Sequence, residues 1–289
     1  MISYANGLLV DSDHFSLPVS QTMTGSLRGF EIFTVFKAIR GVPFLVDEHI
    51  ARLDSCARHI HMSYDLSTQE IKDIVHMLIQ KNKDTNGILL TVLLSGGRAD
   101  YSGVAPIGDA QLSIWTRPLN PIDATKGRSL ATFVHQRPFP EVKLTFYMGG
   151  ILAHQTVVKE FGAEYPVFVS PQTQDILEGS TFSIACIKDG VLKTPPLDGR
   201  ILESITRRNV LKLAKKLGIE VQEKAVSVDD FLASDEIMMM ATTLNVLGVV
   251  RVNDRTIGNG DIGPITKQVQ SEWDLFEQNY INLHLEEKK

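Results

Sequence analysis

Residues 141–161 read EVKLTFYMGGILAHQTVVKEF, and the organisation of the whole chain turns on them. Lys143 stands among Val142, Leu144 and Phe146, and Tyr147 to Phe161 carries apolar residues at helical spacing. An amine in an apolar setting is desolvated, which favours its neutral, nucleophilic form. Taken alone, the segment reads more simply as a surface lysine at a strand-to-helix junction. What lies on either side changes that reading.

Working outward, strands are expected at Ser129–Gln136 and Pro166–Val169, before and after that helix. Ile184–Lys188 and Val191–Lys193 form an expected hairpin about Asp189-Gly190. Thr206–Leu217 reads as a helix ended by Gly218. Strands at Glu220–Ala225 and Glu236–Thr242 flank a short helix at Val228–Ala233, and Gly263–His284 closes the chain mostly as a helix. Towards the N-terminus, Tyr4–Val10 is a short strand broken by a turn at Asn6-Gly7, and Phe30–Ala38 pairs with Gly41–Val46. Asp47–Met62 is helical, with Ile50, Leu53, Ala57 and Ile60 on one face. Ser67-Thr-Gln-Glu70 is a capping box opening a second helix. Ile88–Leu94 is a buried strand ending at Gly96-Gly97, and Gln111–Trp115 is another. Prolines, a glycine and polar residues crowd residues 117–128, which reads as a linker. A smaller N-terminal domain, 1–116, and a larger C-terminal one, 129–289, are expected.

Composition excludes several classes. The chain has 289 residues, 43% hydrophobic and 22% charged, with a formal net charge of −5. No basic face dominates, so nucleic acid is not an expected partner. An anionic ligand would have to be held by local groups. No apolar stretch approaches about 18–20 residues, so no membrane partner is expected. Two cysteines, Cys56 and Cys186, read as buried thiols, and no secretory leader is visible; a cytoplasmic location fits. GxGxxG, GxxxxGK[ST], GxSxG and HExxH are all absent, and His59 and His61 have poor metal-ligand spacing, so no metal site is expected.

Five dispersed segments carry chemistry instead: Glu48-His-Ile-Ala-Arg52-Leu53, Val142-Lys143 through Tyr147, Leu177-Glu178-Gly-Ser180, Ile201 through Ile205-Thr206-Arg207, and Ser234-Asp-Glu236 followed by Ala241-Thr242-Thr243. In this order they resemble the class IV, or fold-type IV, aminotransferase family. That family includes branched-chain and D-amino acid aminotransferases and aminodeoxychorismate lyases. The resemblance runs from Asn6-Gly7 to Gly263-Pro264. It implies a two-domain α/β (α+β) fold with pyridoxal 5′-phosphate (PLP) in the interdomain cleft, and a homodimer.

The resemblance also implies residue roles. Lys143 would be the catalytic residue, binding PLP as a Schiff base. Glu178 would face the pyridine nitrogen, so that the ring acts as an electron sink. The amides of Ile205 and Thr206, with Arg52 and Thr242, would hold the phosphate, and Tyr147 would meet the phenolic oxygen. Glu31, Arg98, Thr242 and Thr243 would contact substrate. Ser183, Ser204 and Gly248 depart from the family's usual asparagine, glycine and proline; the expected cost of Ser204 is crowding of the phosphate loop.

The subfamily signals conflict. Ile88-Leu89-Leu90 lacks the branched-chain enzymes' Tyr-x-Arg pair. Arg98-Ala99-Asp100 lacks the histidine of the D-amino acid enzymes. Gly96-Gly97-Arg98 and Tyr101 look like the lyase turn, whereas Phe30-Glu31 and Thr242-Thr243 match the aminotransferases. The expected function is amino transfer between an amino acid and a 2-oxo acid. A lyase forming 4-aminobenzoate and pyruvate is the alternative, and a degenerate PLP-binding non-enzyme the second alternative.

Overall fold

In the computed structural model, which describes residues 1–83 and 87–286, the chain reverses at once. Asn6 and Gly7 take φ of 53° and 78°, and the two-residue turn pairs Ile2–Ala5 (β1) with Leu8–Asp11 (β2). Then follow Met23–Arg28 (α1), Glu31–Ile39 (β3), Val42–Pro43 (β4), Val46–His59 (α2), Thr68–Lys81 (α3), Ile88–Ser95 (β5), Arg98–Ala99 (β6), Pro106–Ile107 (β7) and Gln111–Pro118 (β8). Among the described residues, β2-β1-β8-β5-β3-β4 form one antiparallel sheet, and β6 pairs with β7 alone. The Ser67 capping box is formed: its side chain accepts from Glu70 N–H while Glu70 reaches back to the Ser67 amide. Ile50, Leu53, Ile71, Val75 and Leu78 pack onto Ile32, Phe36, Leu90, Val92, Leu94 and Ile114, which makes this unit's core.

The remainder comprises Arg128–Val134 (β9), Met148–Phe161 (α4), Tyr165–Val169 (β10), Ile176–Gly179 (β11), Ser183–Lys188 (β12), Val191–Thr194 (β13), Ile205–Lys216 (α5), Val221–Glu223 (β14), Val228–Leu232 (α6), Glu236–Ala241 (β15), Asn245–Val252 (β16), Arg255–Thr256 (β17) and Pro264–Glu286 (α7). The sheet order is β11-β10-β9-β16-β15-β12-β13-β14, with β17 on β16. It is mixed: β9 runs parallel to β10 and β16, whereas β15 runs antiparallel to both β12 and β16. Its core gathers Val167, Ile184, Ile237, Met239, Leu247 and Phe231. Glu236, itself buried, caps α7, accepting from Ile265 N–H, Thr266 N–H and the Thr266 hydroxyl. Among the described residues no helix is long and apolar enough to cross a membrane.

Contacts divide the chain into two units. One holds Met1–Pro121, Val142–Phe146 and the end of α7 from Asn279; the other holds Ile122–Glu141 and Tyr147–Gln278. Two expectations change. Val142–Phe146 groups with the N-terminal unit because its backbone bonds to β3, and the end of α7 does so because Tyr280 packs edge-on against Phe44. The strand expected at Gly41–Val46 shrinks to β4, since α2 begins at Val46.

Candidate active site

Lys143 owes its placement to the β3 edge. Phe33 N–H donates to Lys143 O at 3.0 Å, Thr145 N–H donates to Glu31 O at 3.1 Å, and Ile32 and Leu144 form an antiparallel bridge. Residues opposite one another in such a pair share a face. The Lys143 side chain accordingly lies beside Phe33, its ammonium 4.6 Å from the ring centroid. Val142 is fully buried but Phe146 is 54% exposed, so Phe33 supplies the aromatic neighbour expected of Phe146. Glu31 shares the Phe33 face. It is buried, and it accepts a hydrogen bond from Ser95 on β5.

Two other residues of this unit stand elsewhere. Arg52, on α2, donates to Thr34 Oγ1 at 3.0 Å, and Thr34 also bonds His49 Nδ1 at 2.8 Å. Thr34 alternates with Phe33, so Arg52 is anchored on the α2 side of β3. Arg98 is exposed on the β6–β7 hairpin. That hairpin is tied to α1, where Thr24 N–H and Oγ1 both donate to Gly97 O. A Cβ on Gly96 would lie 2.5 Å from Phe30 and Thr24, so only glycine permits this approach.

In the other unit Glu178 lies on β11, one residue before its end, and its charged partner is one that the motifs did not single out. Arg137 donates to Glu178 Oε1 from Nε at 2.9 Å and from Nη2 at 2.7 Å, and from Nη2 to Pro140 O at 2.8 Å. The second carboxylate oxygen accepts Leu202 N–H at 3.3 Å. Arg137 sits six residues before Lys143 in a proline-rich loop, where a sequence reads as solvated; only its neighbour Pro138, which rigidifies the loop, hinted otherwise. Burial first, then the Arg137 charge, hold the adjacent His135 imidazole below its ordinary value. His135 packs against Gly149, whose Cβ would meet the ring at 2.4 Å, and Gly150 passes Ser180 closely. These glycines bring the first turn of α4, with Tyr147 at its N-cap, against the ends of β9 and β11.

The start of α5 presents unpaired amides. Ile205 and Thr206 are buried, and their amides have no acceptor among the described residues. The Thr206 hydroxyl lies 3.4 Å from that of Thr242. Ser204 is the N-cap: its side chain accepts from Arg207 N–H at 3.2 Å, so it is turned to the helix rather than crowding the amides. Arg207 fixes the helix, bonding Thr194 Oγ1, Pro195 O and Glu223. Thr242 and Thr243 form the turn after β15. Ser183 opens β12 opposite Met240. The space beside Gly248 is filled by Ile262, 2.6 Å from where a Cβ would be.

Unpartnered buried amides with two hydroxyls suit a phosphate, a carboxylate held by a guanidinium suits a ring nitrogen, and Lys143 supplies an amine. These residues fit PLP.

The amino-transferase class IV family matches residues 31–252, and the chain belongs to that family. It is an aminotransferase-family enzyme whose cofactor is PLP. A protein of Methanocaldococcus jannaschii, provisionally named a branched-chain-amino-acid aminotransferase, is 29% identical over 277 residues, covering 93% of this chain and 94% of its own. The D-alanine aminotransferase of Bacillus licheniformis is 28% identical over 275 residues, with 92% and 93% covered. Among solved structures, the branched-chain aminotransferase of Thermoproteus uzoniensis superposes with TM-score 0.86 at 23% identity, covering 95% and 93% of the two chains. The fold-type IV architecture is therefore that of this chain.

Proposed function

We propose that this protein moves an amino group between an amino acid and a 2-oxo acid, with Lys143 as covalent anchor and proton carrier. The observation that carries the assignment is the pair of unpartnered amides at Ile205 and Thr206 beside the Thr206 and Thr242 hydroxyls, in a chain that also presents Lys143 and a guanidinium-held Glu178. Bound PLP supplies an electrophilic carbon and an electron sink. Glu178, fixed by Arg137, would hold the proton on the ring nitrogen. Ile205, Thr206 and Thr242, with Arg52, would hold the phosphate, and Tyr147 would meet the phenolic oxygen. Lys143 Nζ would take the substrate Cα proton and return it to the carbon on the far side of the amino nitrogen, two atoms away. Glu31, Arg98, Thr242 and Thr243 orient the substrate. The protein works as a homodimer, a reading supported by the apolar side chains that α4 exposes at Met148, Ile151, Leu152 and Val158.

Borohydride reduction of the yellow protein should fix the cofactor on the peptide bearing Lys143. An amino donor given without acceptor should discharge the yellow absorption, and D-alanine and the branched-chain amino acids are the first donors to try. Label on Lys159 instead would overturn the anchor. Pyruvate release from aminodeoxychorismate, with no discharge by any common L- or D-amino acid, would replace transfer by the lyase reaction.

A further inference from the structure

Leu112 and Ile114 of β8 enter the core of the first unit, so Trp115 and Arg117 face the other side of the sheet. There the Arg117 guanidinium lies 4.3 Å from the Trp115 ring centroid, and Phe15 stacks on the same indole at 6.0 Å. Arg117 Nη2 donates to Thr91 Oγ1 at 3.2 Å on the neighbouring strand. Nε is sealed from solvent and makes no hydrogen bond, and among the described residues no carboxylate pairs with the group. Burial pulls the guanidinium below its ordinary value. A partly buried charge without a counter-charge is costly, and this one is nevertheless held by both Trp115 and Thr91.

The site is remote from the chemistry. Phe33, beside Lys143, is level with Leu93 and Ser113 across the sheet, and Arg117 lies four residues further along β8. Two strand spacings and four residues amount to about 17 Å, beyond the reach of a small amino acid held at Lys143.

We propose that Arg117, Trp115 and Thr91 form a binding site for a carboxylate. The outer edge of the guanidinium offers the paired N–H groups that a carboxylate takes up in parallel, and the indole holds the plane of the fork. The carboxylate comes either from a small organic acid in solution or from an acidic side chain of a second copy of the chain.

The chain has two tryptophans. Trp273 is 1% exposed, so Trp115 is the reporter for this face. Acetate titrated into the PLP-loaded protein at constant ionic strength should change the tryptophan emission saturably, whereas chloride should not. R117Q should abolish the response, R117K should weaken binding about tenfold through loss of the fork, and W115F should silence the signal. If the carboxylate belongs to a second copy, acetate has no effect but R117Q weakens self-association in sedimentation, and R117K, keeping the charge, does so less. A response that survives in R117Q, an equal response to chloride, or neither an acetate response nor a change in sedimentation overturns the proposal. Aminotransferase activity of R117K should stay at the parent level, which separates this site from the reading of Lys143.

Discussion

Replacing Arg137 by methionine tests how the glutamate of the site is held. The substitution keeps the chain's length and removes the charge. It deletes the Nε and Nη2 bonds to Glu178 Oε1, at 2.9 and 2.7 Å, and the Nη2 bond to Pro140 O at 2.8 Å. The two side chains are 11% and 8% exposed. Removing one member of a buried ion pair costs about 3–5 kcal/mol, because the other charge is left without compensation. The residual exposure of Arg137 and the Leu202 amide on Glu178 place R137M near the lower end, about 3 kcal/mol. At about 2–4 °C per kcal/mol for a unit of this size, Tm should fall by about 6–12 °C. Scanning calorimetry on R137M, E178Q and the double variant measures the coupling. The double variant should be more stable than the sum of the single losses predicts, by at least about 2 kcal/mol. Turnover of R137M should fall as that of E178Q does, with cofactor retained in both. A Tm drop below about 2 °C, or strict additivity, would refute the claim that the pair acts as a unit.

Glu236→Ala removes three hydrogen bonds from the start of α7 and should cost about 2–3 kcal/mol, read as a lower urea midpoint at unchanged specific activity. Thr206→Val keeps the shape of the α5 terminus but deletes a hydroxyl donor, so PLP should dissociate about tenfold faster on dilution; unchanged release would remove Thr206 from the phosphate site. Tyr64 is pushed above its ordinary 10.0 to about 12, first by burial and then by its hydrogen bond to Asp54. The folded state therefore holds the phenolic proton longer than the unfolded one. Its stabilisation is complete below pH 10 and is lost as pH rises towards about 12. Tyr64→Phe should flatten the fall in stability across that window, and an identical alkaline profile in both proteins would refute it.

The features legible in the amino-acid order are local. Asn6-Gly7 and Asp189-Gly190 specify their turns because positive φ is needed there, Ser67 with Glu70 starts α3, and helical spacing places α2, α4 and α5 to within a few residues. Lys143, Glu178, Ile205 and Thr206 were legible as types of residue in a particular order. Their partners were not. Arg137 and Glu178 are 41 residues apart, Glu31 and Ser95 are 64 apart, and nothing in the loop before Pro138 marks its arginine as one side of a buried pair. The sequence does not show α1, because a six-residue helix is held by docking on Gly96-Gly97, nor β16, whose Gly248 is packed by Ile262 from a distant loop. It placed Val142–Phe146 in the C-terminal domain, whereas two hydrogen bonds to β3 draw it into the other unit. Turns and caps are decided by φ preferences and hydrogen bonds within four residues, which the chain carries with it. The pairing of Glu178 and the neighbours of Lys143 depend on which distant backbone comes alongside, and only burial of the two cores decides that.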